Sequence, residues 1–255
     1  MNALSSLFQI LFRPHAVLDD LLFEGDLRKS WRATGLLACL DALIMLLVVL
    51  GLVILVLAVP EIREDPLENV GIPKAIVALL LVLAVPVVFL LSWLVHAVSR
   101  YWFSGMVRLG LRVSAGAYYP RDTEERREKG RQLQLIHPYT AGISWIPSQA
   151  VQLLYLATLF GGVLVQSVSP SLEPPLLWTI LILIFALLNY VVPFGSHIYM
   201  VIVRVMAIQK LYGISGARAF WGPFLIYALL YGGLFVLVMG FAAWSFMTDV
   251  HTVLY

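Results

Sequence analysis

Five long apolar runs, broken by short polar stretches, set the pattern of this chain. They cover residues 33–59, 75–97, 139–168, 176–203 and 220–246. Each exceeds the ~20 residues that cross ~30 Å of hydrocarbon at ~1.5 Å per residue. The pattern predicts an all-α fold, an integral membrane bundle of five transmembrane helices. Upstream, Leu4, Leu7, Phe8, Leu11 and Phe12 recur at helical spacing until Arg13–Pro14 breaks the run. Leu18, Leu21 and Leu22 then share a face opposite Asp19, Asp20 and Glu24, with Gly25 as the stop. We read 1–12 and 14–24 as two short amphipathic helices, either lying in the headgroup layer or capping the bundle from the cytosol. The chain divides into a segment 1–32 and a five-span domain 33–255, with one long connection at 98–138.

Composition agrees. Of 255 residues, 61% are hydrophobic and 13% charged, whereas a soluble domain is about half apolar and about a quarter charged. A net charge of +2 gives no electrostatic reason to expect a nucleic-acid partner. The one cysteine, Cys39, has no intrachain disulfide partner and reads as a small core residue. The first residues lack the basic leader and small-residue cleavage site of a secretory signal.

Charge then orients the bundle. Of 17 Lys and Arg residues, only Arg63 and Lys74 fall on one side of the plane, together with Glu61, Glu64, Asp65, Glu68, Glu173 and Asp249. The rest lie in the N-terminal segment, in the 98–138 connection and after span four. The positive-inside rule puts the N-terminus in the cytoplasm and the C-terminus outside, in what we expect to be a prokaryotic cytoplasmic membrane. Within the connection, Arg100 to Arg112 reads as an amphipathic helix bearing Tyr101, Trp102 and Phe103. Residues 121–131 are charged at nine of eleven positions, with Asp122–Arg126 and Glu125–Lys129 at i,i+4 spacing. Arg121, Arg126, Arg127, Lys129 and Arg131 form either a solvated turn or a docking surface for anionic lipid or a partner.

Ionisable groups within a span need a partner or a function, since a central Asp costs roughly 2.5–3.5 kcal/mol on insertion scales. Asp41, Ser92, His96, Ser144, Gln149, Asn189 and His197 all fall at depths within the cytoplasmic half of the membrane, beside the expected helix kinks Pro147 and Pro193. They form either an inward-facing hydrated vestibule, with Asp41 and His197 as its titratable pair, or an interhelical hydrogen-bond cluster. Catalytic templates are poor. There is no P-loop, HExxH or metal-ligand spacing, and no cofactor is expected. Gly213-Ile214-Ser215-Gly216 matches an intramembrane serine-protease string but lies at the end of span four. Gly142-Ile143-Ser144, which His197 could approach, lacks the final glycine. Gly232, Gly233 and Gly240 would permit close helix approach in span five.

Three stretches resemble the YIP family of Rab-interacting multi-pass membrane proteins, in its prokaryotic form. They are Leu7-Phe8-Gln9-Ile10-Leu11-Phe12-Arg13-Pro14, the run from Pro138-Tyr139 to Ile146-Pro147, and the run from Tyr212-Gly213 to Arg218-Ala219. The resemblance implies a non-enzymatic membrane protein that associates with other membrane proteins. The expected function is therefore a non-catalytic organiser or adaptor, with membrane lipids, other membrane proteins or further copies as partners. The alternative is a small transporter, channel or lipid-moving subunit built around Asp41.

Overall fold

A computed structural model describes residues 2–58, 74–168 and 176–254. The polar stretch holding Arg63 and the one holding Glu173 lie outside the described residues. Seven α-helices are present among those described: α1 (Ala3–Gln9), α2 (Pro14–Glu24), α3 (Leu27–Ala58), α4 (Lys74–Ser114), α5 (Thr123–Val168), α6 (Leu176–Tyr212) and α7 (Gly216–Leu254). Helices α3 to α7 are each long and apolar enough to cross a membrane. The protein is an all-α integral membrane bundle.

The helix ends follow local chemistry. The Asn2 side chain accepts the Leu4 amide at 2.8 Å. Pro14 sits at the first helical position of α2, where its missing N–H costs nothing. Gly25 then closes α2 in the left-handed conformation (φ 61°), its amide donating to the Leu21 carbonyl. Asp26 accepts the Arg28 amide at the start of α3, and Asp122 accepts the Glu125 amide at the start of α5. Lys29 hydrogen-bonds the Glu24 carboxylate and holds it below its ordinary pKa.

The apolar runs understate the helices. Helix α4 runs 41 residues and α5 runs 46, about twice what the hydrocarbon requires. The connection at 98–138 is consequently helical except near residues 115–122, where a short 3-10 turn intervenes. Leu, Gln, Glu, Arg and Lys are strong helix formers, so α5 is polar at its start and apolar beyond without interruption. Prolines 86, 138, 147, 193 and 223 all lie inside helices that continue through them. Pro138 cannot bond the Gln134 carbonyl one turn back, and Ser30 of α3 donates to it instead, at 3.2 Å.

The chain forms two compact units. The first comprises residues 1–100 and 134–204. Its core includes Leu7, Ile10, Val17, Leu18 and Leu21 from the N-terminal helices, with Leu37, Tyr139 and Ile143. Leu7 fills the space beside Gly142, and the Tyr199 hydroxyl donates to the Leu11 carbonyl at 3.2 Å. Leu4, Phe8, Phe12 and Phe23 of the same N-terminal segment are exposed, the last two at 81% and 93%. The expected apolar face of α1 is thus divided, half packed inward and half turned out. Cys39 is exposed on α3 rather than buried as expected.

The second unit comprises residues 101–133 and 205–255. There α4 and α7 cross with backbones in contact: a Cβ on Gly110 would collide with the main chain of Gly222 and Pro223. Ser104 donates to the Gly130 carbonyl at 2.9 Å, and Tyr119 stacks on Tyr212. Gly232, Gly233 and Gly240 meet no described atom within 4 Å, so the close approach expected there is made at Gly110 and Gly222 instead.

Candidate functional site

One carboxylate gathers three helices of the first unit. Asp41 projects from α3. On α4, Ser92 and His96 stand one turn apart on a common face, and on α5 Trp145 and Gln149 do the same. The Ser92 hydroxyl donates to Asp41 Oδ2, with His96 Nε2 3.5 Å from the same oxygen. Trp145 Nε1 donates to Oδ1 at 2.6 Å and Gln149 Nε2 donates to it at 3.2 Å. The His96 ring meets Trp145 edge-on at 5.3 Å. The Asp41 and His96 side chains are only 11% and 10% exposed. Both oxygens of the carboxylate therefore meet side-chain donors.

Four of the seven residues expected in the polar cluster come together: Asp41, Ser92, His96 and Gln149. The other three do not. Ser144 contributes its backbone carbonyl, which accepts Ser148 Oγ at 2.6 Å and Ser196 Oγ at 3.5 Å. Asn189 is half-buried on α6 and is not among the Asp41 donors. His197 is exposed, so the titratable pair expected with Asp41 is made by His96 instead. One residue of helix is about 100° of rotation, which turns His197 away from the packed face carrying Ser196 and Met200. Trp145 was missed, although its i,i+4 spacing to Gln149 is visible in the chain.

A second network lies nearby on α4, α5 and α6. His137, 6% exposed, has Ser99 Oγ 2.9 Å from Nε2 and Arg204 Nη2 3.4 Å from Nδ1. Arg204 Nε also donates to Thr140 Oγ1 at 3.2 Å. The proton positions follow from the donors. Arg204 can only donate, so Nδ1 holds the lone pair and Nε2 carries the hydrogen. Ser99 is then free to donate to the His96 carbonyl, which stands 2.9 Å away. A Ser–His contact of this polarity is the reverse of a nucleophile and its base: the imidazole donates to the hydroxyl and cannot take its proton. Beside it, Arg100 is 1% exposed and lies 4.1 Å over the Trp31 ring, which stacks on Trp93. Of the arginines counted in sequence as markers of the basic side, Arg100 is buried and Arg204 is half-buried against His137 and Thr140.

The charged start of α5 is closely self-compensated. Lys129 pairs with Glu125 at 3.0 Å, as its spacing predicts, and Arg131 approaches Glu128 at 3.8 Å. Arg126 donates to the Asp122 main-chain carbonyl and to Thr123 Oγ1 in place of the expected Asp122 carboxylate pair. Arg121 and Arg127 are exposed. In the same unit Lys129 lies 5.0 Å over Tyr212, and Arg218 lies 5.1 Å over Tyr118.

Among the described residues no group of three or more His, Cys, Asp or Glu side chains is placed to hold a metal ion. Comparison with protein-family models, with curated proteins and with solved structures yields no match to this chain.

Proposed function

We propose that this protein is a non-catalytic membrane organiser or adaptor, of the kind that the YIP resemblance implies, residing in a prokaryotic cytoplasmic membrane. The observation that carries the reading is the state of Asp41. Its carboxylate is occupied by Ser92, Trp145 and Gln149 and flanked by His96, so it ties α3, α4 and α5 into one rigid block. A side chain so engaged supports a locked scaffold better than an open path.

The scaffold presents two surfaces. The exposed side chains of Leu4, Phe8, Phe12 and Phe23 suit the boundary of headgroups and acyl chains, where apolar side chains of an amphipathic helix enter the membrane. The start of α5, with Arg121 and Arg127 exposed, offers charge to a cytosolic partner or an anionic headgroup. In this reading the N-terminus faces the cytoplasm and the C-terminus the opposite compartment. Neutralising Arg126, Arg127 and Lys129 together weakens partner capture and association with anionic vesicles; unchanged binding in both assays counts against the reading. Membrane-impermeant labelling of single cysteines placed at residues 2 and 254 tests the orientation.

A second reading, a small permeation protein, rests on the Asp41–His96 pair, two titratable groups 3.5 Å apart within the spans. It requires that Asp41→Asn abolish a flux in proteoliposomes while the fold persists. Loss of stability alone, with no flux in either protein, favours the organiser.

A further inference from the structure

Helices α3 and α5 meet at two places and part between them. At one, Asp41 holds Trp145 and Gln149. At the other, Gly51 lies against Phe160, so close that a Cβ on residue 51 would stand 2.7 Å from two ring carbons. Between these contacts is a cleft of about 570 Å³ lined by Leu47 and Val48 on α3 and by Ala150, Leu153, Ala157 and Phe160 among others on α5. Every lining residue is Ala, Val, Leu or Phe. Leu47 and Leu154, at its walls, are 43% and 51% exposed, so the cleft opens outward.

Lining, size and setting identify what fills it. A water molecule needs two to four polar partners and finds none along these walls. Ala150 to Phe160 spans about 15 Å of helix at ~1.5 Å per residue, so the volume corresponds to a passage about 40 Å² in cross-section. A passage of that width accommodates an extended hydrocarbon chain. Both walls belong to helices long and apolar enough to span the bilayer, so the phase outside is lipid. We propose that the α3–α5 cleft binds an acyl tail of a bilayer phospholipid, with the Asp41 cluster closing one end of it and the Gly51–Phe160 contact the other. This site depends on the membrane-spanning fold alone and is independent of the organiser reading, so either can fail while the other stands.

The test reconstitutes the full chain in phosphatidylcholine vesicles whose lipid carries a photoactivatable diazirine in its acyl tail, and maps the adducts by peptide mass spectrometry. The expected result is enrichment at residues 47–51 and 150–160 over Leu229–Val238 of α7, although every residue of that stretch is exposed. Ala157→Phe, which fills the cleft, should cut its adducts about tenfold, the equivalent of excluding roughly two methylene groups, and leave those on α7 unchanged. Val48→Phe fills the opposite wall and serves if the first variant misfolds. Uniform labelling of all lipid-facing helices overturns the proposal. So does cleft labelling that persists in a folded, cleft-filled variant, or a protein–protein crosslink from this cleft to a second copy.

Discussion

Replacing Asp41 by alanine tests the claim that one carboxylate binds three helices together. The side chain receives Ser92, Trp145 and Gln149 and lies beside His96. Interhelical hydrogen bonds in membranes average only ~0.6 kcal/mol, with a maximum near ~1.7, because the unfolded chain in lipid finds other partners. Four contacts at the average sum to about 2.4 kcal/mol, and a single strong one raises this to about 3.5. We therefore expect Asp41→Ala to destabilise the bundle by about 2–3.5 kcal/mol when unfolding is measured inside the bilayer by steric trapping. Trp145→Phe keeps the ring and removes one donor, so it should cost about 0.6–1.7 kcal/mol. Residues that share a network couple, so the Asp41→Ala, Trp145→Phe double variant should lose measurably less than the sum of its parts. If Asp41→Ala changes stability by less than about 0.5 kcal/mol, or if the two substitutions add, the carboxylate is not the tie described.

The two glycine settings should diverge. Gly110→Ala forces a Cβ into the Gly222 backbone and should destabilise by about 1–3 kcal/mol, whereas Gly232→Ala, with nothing within 4 Å, should stay within about 0.5 kcal/mol, both measured by steric trapping. Ser99 should not react with a fluorophosphonate probe, because His137 donates to it; labelling at Ser99 would show the proton arrangement to be wrong. Residues 121–131 hold five basic and four acidic side chains, a net of +1. Substituting Glu125→Gln and Glu128→Gln raises this to +3 and should tighten binding to anionic vesicles by about 1 kcal/mol per added charge, an effect that fades with salt in a co-sedimentation assay.

What the chain discloses before folding depends on whether a signal is periodic or relational. Five apolar runs and a proline-opened helix at Pro14 are periodic, and every one of them forms as expected, because hydrocarbon leaves a backbone no alternative to the helix. The i,i+4 pairs Ser92–His96 and Trp145–Gln149 are periodic too, and each does present one face. Which faces converge is relational. Asn189 and His197 lie at suitable depth, yet the rotation of α6 directs Ser196, Met200 and Val203 inward and leaves His197 outside. Depth is one coordinate and azimuth another, and in a bundle that is apolar nearly all round hydrophobicity carries little information about azimuth. The same ambiguity concealed Arg100 and Arg204. A basic residue at a helix end satisfies the topology rule whether it faces water or the interior, and only the tryptophan beneath Arg100 and the histidine beside Arg204 distinguish the two. In this chain Trp31 lies under Arg100, itself one turn beyond the His96 that flanks Asp41, and His137 accepts from Arg204.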